Sequence, residues 1–308
     1  MQELSRESIS KPIHEPWQVR IRNIVVGFDF DDTEMKATSV ARLLAREYDA
    51  ALSIVHSVPP PPDIRTMAVP PPPPNIISRT LADSKKRIAL TLKMERKFRG
   101  IRYRLDVGFE SPLRLLLDTA KEKNADLLIV GSHGRHGFGH LLLGSVSESL
   151  LRRAECPVLI LGPEFDLEQN AFRTVLFATD LSDTGIRAAQ HAGRVASDWR
   201  ADLVMLHVPD EKPNAEGRTR EWFEDNCKDK LWRLLEPVDR DTCDHEALIA
   251  YGDPAQEILA AADAKHADLI VMGAGEHGVL SDHAPWRTLT EVARCARCPI
   301  LCVGYKSK

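Results

Sequence analysis

Apolar residues in this chain alternate between short unbroken runs and stretches that repeat every three to four positions. Ile21–Phe28, centred on Ile24-Val25-Val26, reads as a parallel strand buried on both faces. Asp29 ends it, and Ala37, Val40, Ala41 and Leu44 then follow the i, i+3, i+4, i+7 spacing of a helix with one apolar face. Leu52–Val58 predicts the next strand, Ser78–Phe98 a long helix and Arg102–Val107 a third strand. Ser111-Pro112 is a helix start, with a capping hydroxyl followed by a proline in the first turn. Leu113, Leu116, Leu117 and Ala120 form that helix's stripe, Leu127–Val130 is the fourth strand, and Val158–Leu161 the last. The order βαβαβαβαβ implies a parallel sheet covered by helices on both faces.

The whole pattern occurs twice. Ile24–Asp29 has a counterpart in Val175–Asp180, and Leu52–His56 in Leu203–His207, both displaced by 151 residues. Ala125–Gly131 recurs as Ala267–Gly273, Pro112 as Pro254 and Cys156-Pro157 as Cys298-Pro299, displaced by 142. Asp253-Pro254 starts the matching helix, with Ala255, Ile258, Leu259 and Ala262 on its stripe. The chain therefore divides into a polar tail (1–18), a first domain (19–163) and a second domain (172–305), joined through a linker near Gly162–Phe172. Its 308 residues suit two cores better than one. The second copy is shorter by nine residues, lost where the first carries nine prolines within Pro59–Pro74. That stretch can be neither helix nor central strand, and is expected as an extended surface loop acting as a spacer or docking segment.

Composition narrows the function classes. With 28% charged residues and a net charge of −4, no basic excess points to nucleic acid. No apolar run is long enough for a membrane span, and the polar start does not resemble a signal peptide, so the expected location is the cytoplasm. Six cysteines in this length do not make a disulfide scaffold. Cys295, Cys298 and Cys302 are the densest thiol group, but no second Cys-x2-Cys accompanies them. His133, His136 and His140 lie together in one loop without a cysteine or carboxylate at ligand spacing, so no metal site is assigned. His56 and His207 share one structural position, which suggests packing or hydrogen bonding at a strand end.

The chemistry concentrates after the fourth strand, where the chain reads Gly131-Ser-His-Gly134-Arg135, then Gly144-Ser145-Val146-Ser147-Glu148. Glycines at a strand end let backbone amides approach an anion. A helix beginning at Gly144-Ser145 aims its free amides and dipole at phosphate. Ser145 and Ser147 would add hydroxyl donors and Arg135 a permanent charge. In a doubly wound sheet, ligands sit beyond the carboxyl ends of the strands where strand order reverses, so Asp29 would face the same crevice if the first and fourth strands are neighbours. Of Asp29, Asp31 and Asp32, two would cap the following helix, and a Mg2+ role arises once a triphosphate is present.

Gly131-x2-Gly134-x9-Gly144-Ser145, with the Val-Ser-Glu that follows and the Cys156-Pro157 strand, resembles the signature of the universal stress protein family in its ATP-binding branch. The likeness covers Arg20–Leu161 and Arg173–Val303 as a tandem member. It implies two flavodoxin-like (Rossmann-like) α/β domains, each a five-stranded parallel sheet with helices on both faces. It also implies ATP or a related adenine nucleotide as ligand. By that resemblance, Asp29 and the backbone around Ser57 would hold adenine and ribose, and Gly131, Gly134, Gly144 and Ser145 would hold phosphates, with Arg135, Val146 and Ser147 beside them. The family also pairs domains through last strands, so Val158–Leu161 and Ile300–Val303 would pair within one chain, and a further homodimer is a family habit.

The second copy departs from the motif. On the ungapped match Glu276 replaces the second glycine and Trp286-Arg287 replace Gly-Ser; realigned, Gly275 and Gly278 keep the spacing of three, but no Gly-Ser follows. A carboxylate repels phosphate and tryptophan lacks the backbone freedom of glycine, so this copy is expected to bind nucleotide weakly or not at all. The sequence assigns no general base or nucleophile. Three functional readings follow: a nucleotide-dependent regulator, with slow ATP hydrolysis or autophosphorylation as an extension; an adenylyl-transferring enzyme; and a nucleotide-independent scaffold. Phe28-Asp29-Phe30-Asp31-Asp32 lacks the His-x-Gly-His or Ser-Gly-Gly stretch of adenylyl-transferring relatives, which counts against transfer chemistry.

Overall fold

A computed structural model of the chain describes residues 19–30, 32–59, 74–94, 101–132, 143–162, 165, 172–210, 219–235, 244–274 and 284–304. The first copy contributes β1 (Asn23–Gly27), α1 (Asp32–Glu47), β2 (Ala51–Ser57), α2 (Pro74–Met94), β3 (Tyr103–Gly108), α3 (Pro112–Glu122), β4 (Leu127–Gly131), α4 (Ser145–Arg153) and β5 (Val158–Leu161). The second contributes β6 (Thr174–Thr179), α5 (Asp183–Trp199), β7 (Asp202–His207), α6 (Arg220–Leu234), β8 (His245–Ile249), α7 (Pro254–Ala264), β9 (Leu269–Gly273), α8 (Ala284–Cys295) and β10 (Ile300–Val303).

The ten strands of the described residues form one sheet, in the order β3-β2-β1-β4-β5-β10-β9-β6-β7-β8. Within each copy every pairing is parallel. The copies meet antiparallel, Ile300 opposite Ile160, Leu301 opposite Leu159 and Cys302 opposite Val158. The intramolecular last-strand pairing expected from the family resemblance is therefore present.

Each face of the sheet carries one apolar layer that runs across both copies. Ala37, Val40, Ala41 and Leu44 of α1 share a layer with Val175 and Phe177 of β6 and with Ala188, Ala189, Ala192 and Ala196 of α5. On the other face Leu116, Leu150 and Ile160 join Ile258, Leu289 and Ile300. The linker adds to the first layer: Phe165 and Phe172 are buried, their ring centroids 6.5 Å apart, and Phe172 meets Trp199 edge-on at 5.2 Å. At the same junction burial pushes the His191 imidazole down to about 4, so it is held neutral.

Local signals explain the element boundaries. The Ser111 hydroxyl accepts from the Arg114 amide at 3.4 Å, and the Asp253 carboxylate accepts from Ala255 and Gln256 at 3.1 and 3.2 Å, each ahead of a proline at the first helical position. The long helix of the first copy begins four residues before the expected Ser78, at Pro74. The last proline of the run opens the helix because the first turn needs no N–H from it. The rest of the expected loop, 60–73, lies outside the described residues, as do the tail 1–18 and Asp31.

The repeated Ala-Asp-Leu motif has a structural reason. Asp126 Oδ2 accepts from the amides of Arg22 and Asn23 at 2.8 and 3.0 Å, and Asp268 Oδ2 from those of Arg173 and Thr174 at 2.9 and 3.1 Å. Each carboxylate fastens the start of the central strand of its copy. Hydrogen bonds to a charged group contribute about 1.5–3 kcal/mol, so Asp126→Ala should lower unfolding free energy in urea by about that amount. A change within error would show that the clasp contributes nothing net.

Candidate functional site

The strand order reverses between β1 and β4, and the expected residues collect at the carboxyl edge there. The register Gly27–Val55 carries Asp29 level with Ser57, and Val26–Ile129 carries it level with Ser132. Asp29 is half-buried. The Ser57 hydroxyl donates to the Glu110 carbonyl at 2.6 Å, tying β2 to the turn before α3. His56 is buried and its Nδ1 lies 2.7 Å from the Phe28 carbonyl, so that nitrogen carries the proton. In the second copy His207 Nδ1 lies 2.9 Å from the Thr179 carbonyl, and burial lowers its pKa. These histidines staple the first strand of each copy to the second.

The start of α4 is the most specific element. Gly144 is its N-cap, with φ −61° and ψ 143°, and the first helical bond runs from Glu148 N to the Gly144 carbonyl at 2.9 Å. The amides of Ser145, Val146 and Ser147 precede that bond, so no carbonyl of the helix can accept from them. Two details correct the sequence reading. The Gly144 amide donates to the Ser132 carbonyl at 2.7 Å, so it closes the loop rather than facing an anion. The Ser147 hydroxyl is buried and donates to the Gly131 carbonyl at 2.7 Å, so its proton locks α4 onto β4. Among the described residues, the start of α4 then offers the row of three first-turn amides and the Ser145 hydroxyl. Gly134, Arg135 and the three loop histidines lie outside the described residues. Ser132, whose amide bonds the Leu161 carbonyl at 2.8 Å, was not anticipated. The motif spelled it out between two glycines but nothing marked its carbonyl as the anchor.

The second copy is built differently at the same place. Helix α8 starts at Ala284, three residues ahead of the position equivalent to Ser145, so Trp286 lies inside a helix where Gly144 is an N-cap. Pro285 removes one of the first-turn donors. The backbone of Gly144 is ordinary extended chain, so the difference between copies rests on this earlier helix start and on bulk, rather than on glycine's conformational freedom. Trp286 has a partner across the junction: the Arg152 guanidinium of α4 sits 4.1 Å from the indole centroid. A cavity of about 150 Å3 persists at the carboxyl edge of β6, β7 and β9, with Asp180, Asp210 and His207 among its lining and Ile258 and Met272 as apolar walls. Asp180 Oδ1 accepts from the Ser182 amide at 3.0 Å. Among the described residues, the charged side chains lining this cavity are carboxylates.

Two of the three clustered thiols are shielded. Burial pushes the Cys298 thiol up to about 12 and raises that of Cys302 as well, whereas Cys295 is exposed. In the folded protein at pH 8, a thiol reagent should label Cys295 readily and leave Cys302 unmodified until denaturant is added; rapid labelling of Cys302, read by peptide mass spectrometry, would contradict that burial. Among the described residues no three metal-ligating side chains cluster.

Comparison with known proteins bears on both copies. The model of the universal stress protein family matches residues 20–162 and 171–304. A universal stress protein of Mycolicibacterium smegmatis is 27% identical over 297 residues, covering 91% of this chain and 96% of that protein. The universal stress protein YxiE of Bacillus subtilis is 31% identical over 142 residues, covering 44% of this chain and 96% of its own. The crystal structure of a universal stress protein from Archaeoglobus fulgidus matches with a TM-score of 0.67 over 92% of this chain and 98% of that one, at 20% identity, a likeness of fold.

Proposed function

We propose, from the premise that the chain belongs to the universal stress protein family, that it is an adenine-nucleotide-binding regulator of the stress response whose first domain holds ATP. The observation that carries this reading is the row of three first-turn amides at Ser145, Val146 and Ser147, to which the helix offers no carbonyl, level with the reversal point of the sheet. Oriented amides at a helix start suit a phosphate chain, because they supply donors and the positive end of the dipole without a mobile side chain. Asp29, at the end of β1, would accept from ribose hydroxyls, and the backbone at Ser57 would face the base. Gly134 and Arg135 belong to the same proposed site by their place in the motif. Mg2+ would enter with a triphosphate, on its phosphate oxygens.

The second domain is proposed as the structural partner. Trp286 takes the place of the N-cap glycine, and carboxylates line the remaining cavity. With nucleotide bound only to one conformational state, ATP would shift the population and thereby the surface shown to a partner. No helix among the described residues is long and apolar enough to cross a membrane. Action in the cytoplasm is part of this proposal.

The direct test is to purify the chain without added nucleotide, denature it and identify what it releases by chromatography and mass spectrometry. About one adenine nucleotide per chain is expected, as one site of two would give. No release, together with no binding of added ATP and Mg2+, would replace the regulator reading with that of a nucleotide-independent scaffold.

A further inference from the structure

At the other end of the sheet the first copy has a second recess. It lies at the amino ends of β1, β2 and β3, has a volume of about 810 Å3, and among the described residues is lined by Arg42, Arg46, Arg102, Arg104 and Lys123, with Asp49 the one carboxylate. Counted with Asp106 and Glu122, which pair with Arg104 and Lys123 from outside the lining, five cations still face three acids in a chain whose net charge is −4. Two cations have acidic neighbours: Arg104 Nε is 3.5 Å from Asp106, and Lys123 pairs with Glu122. Burial and the adjacent Arg46 charge both disfavour the cation at Arg42.

The internal repeat supplies a control for what the fold itself requires. Asp49 and Arg200 are equivalent, both with positive φ (49° and 51°), and so are Asn124 and His266 (47° and 50°). Counting from these anchors, the second copy has Gly193, Ser197 and Arg200 where the first has Arg42, Arg46 and Asp49. It has Asp244, Glu246 and Lys265 where the first has Arg102, Arg104 and Lys123. The second set carries two cations and two acids, so the fold does not demand a basic recess. One pair is especially informative. Lys265 Nζ lies 2.6 Å from Glu246, so these two positions are within contact across the sheet end, and in the first copy the same two positions hold Lys123 and Arg104, both cationic. In the first copy Lys123 turns to Glu122 and Arg104 to Asp106 instead, both outside the recess lining, so no carboxylate takes the place of Glu246 within the recess itself.

From this juxtaposition we infer that the recess at the amino ends of β1–β3 binds a soluble, multiply charged phosphorylated anion. Guanidinium groups present a planar fork of donors that matches phosphoryl oxygens, and several of them around one recess call for a ligand with several negative charges rather than one. The recess is at the opposite sheet end from α4, so it is independent of the proposed nucleotide site.

The probe is inorganic tripolyphosphate, titrated calorimetrically into the full chain at about 50 mM and about 200 mM salt, a range over which phosphate contacts are strongly screened. The chain should bind it, more weakly at the higher salt. Arg102→Asp/Arg104→Glu, which installs the second copy's residues at exposed positions, should weaken binding about tenfold or more while leaving the circular dichroism spectrum unchanged. Arg46→Ser, also exposed and also the second copy's residue, serves as an independent variant and should weaken it in the same direction. Gly144→Trp should leave tripolyphosphate binding in place. The inference is overturned if the chain does not bind tripolyphosphate, or if neither basic-site variant changes the affinity. Binding abolished by Gly144→Trp alone would also overturn it, by assigning the anion to α4. So would binding of a single-stranded oligonucleotide in preference to tripolyphosphate, which would make the recess a backbone-tracking surface instead.

Discussion

A chain carrying Gly144→Trp should bind ATP about a hundredfold more weakly than the parent, an effect equal to losing one or two hydrogen bonds to a charged group. The N-cap backbone at φ −61° and ψ 143° accepts any residue, so the variant should fold with α4 intact. The loss comes from the indole, which would stand over the amides of Ser145 and Val146 and keep phosphate from them. The second copy already carries tryptophan at the matching position, with its ring engaged by Arg152 at 4.1 Å. Calorimetry with ATP and Mg2+ on both proteins decides the matter. Equal affinities would remove the start of α4 from the binding site, while a lost circular dichroism signal would instead reveal a folding role for the glycine.

Phe172→Ala should cost about 3–5 kcal/mol of stability, the range for truncating a buried aromatic ring. Phe172 belongs to the linker by sequence but to the core by position, edge-on to Trp199 and stacked with Phe165. Its layer spans both copies, so removing it should shift one cooperative urea transition rather than split off the second domain. A shift below about 1 kcal/mol, or two resolved transitions, would mean that the copies are stabilised independently.

Much of this architecture was legible in the sequence because its signals are local and occur twice. Ile24–Gly27, Leu127–Val130 and their repeats announce buried parallel strands, and Ser111-Pro112 and Asp253-Pro254 announce capped helix starts. Both proline starts fell where expected, since a cap and an N1 proline act within one turn. Pro74 was misjudged for the complementary reason: at the end of a proline run, nothing local distinguishes the last loop residue from the first helical one. The candidate site was legible as a motif and less so as atoms. Gly131, Gly144 and Ser147 do meet at one strand end, but the Gly144 amide and the Ser147 hydroxyl are spent on the Ser132 and Gly131 carbonyls. Hydrogen bonds between segments that the chain separates by a loop leave no periodic trace in sequence. The Arg152–Trp286 contact is more remote still, joining positions in different copies.

The antiparallel seam between β5 and β10 has a consequence for inheritance. Were the same seam formed by two identical chains, every substitution would appear at both ends of the assembly at once. A tryptophan at one helix start would then be a tryptophan at both, and a basic recess at one end of the sheet would always have its twin. Joined covalently, the halves can change one at a time. Gly144 and Trp286 are two answers to one position, as are Arg104 and Glu246, and they coexist across a single sheet. Covalent joining across the seam lets one half carry a residue that the other does not, while the sheet between them stays continuous.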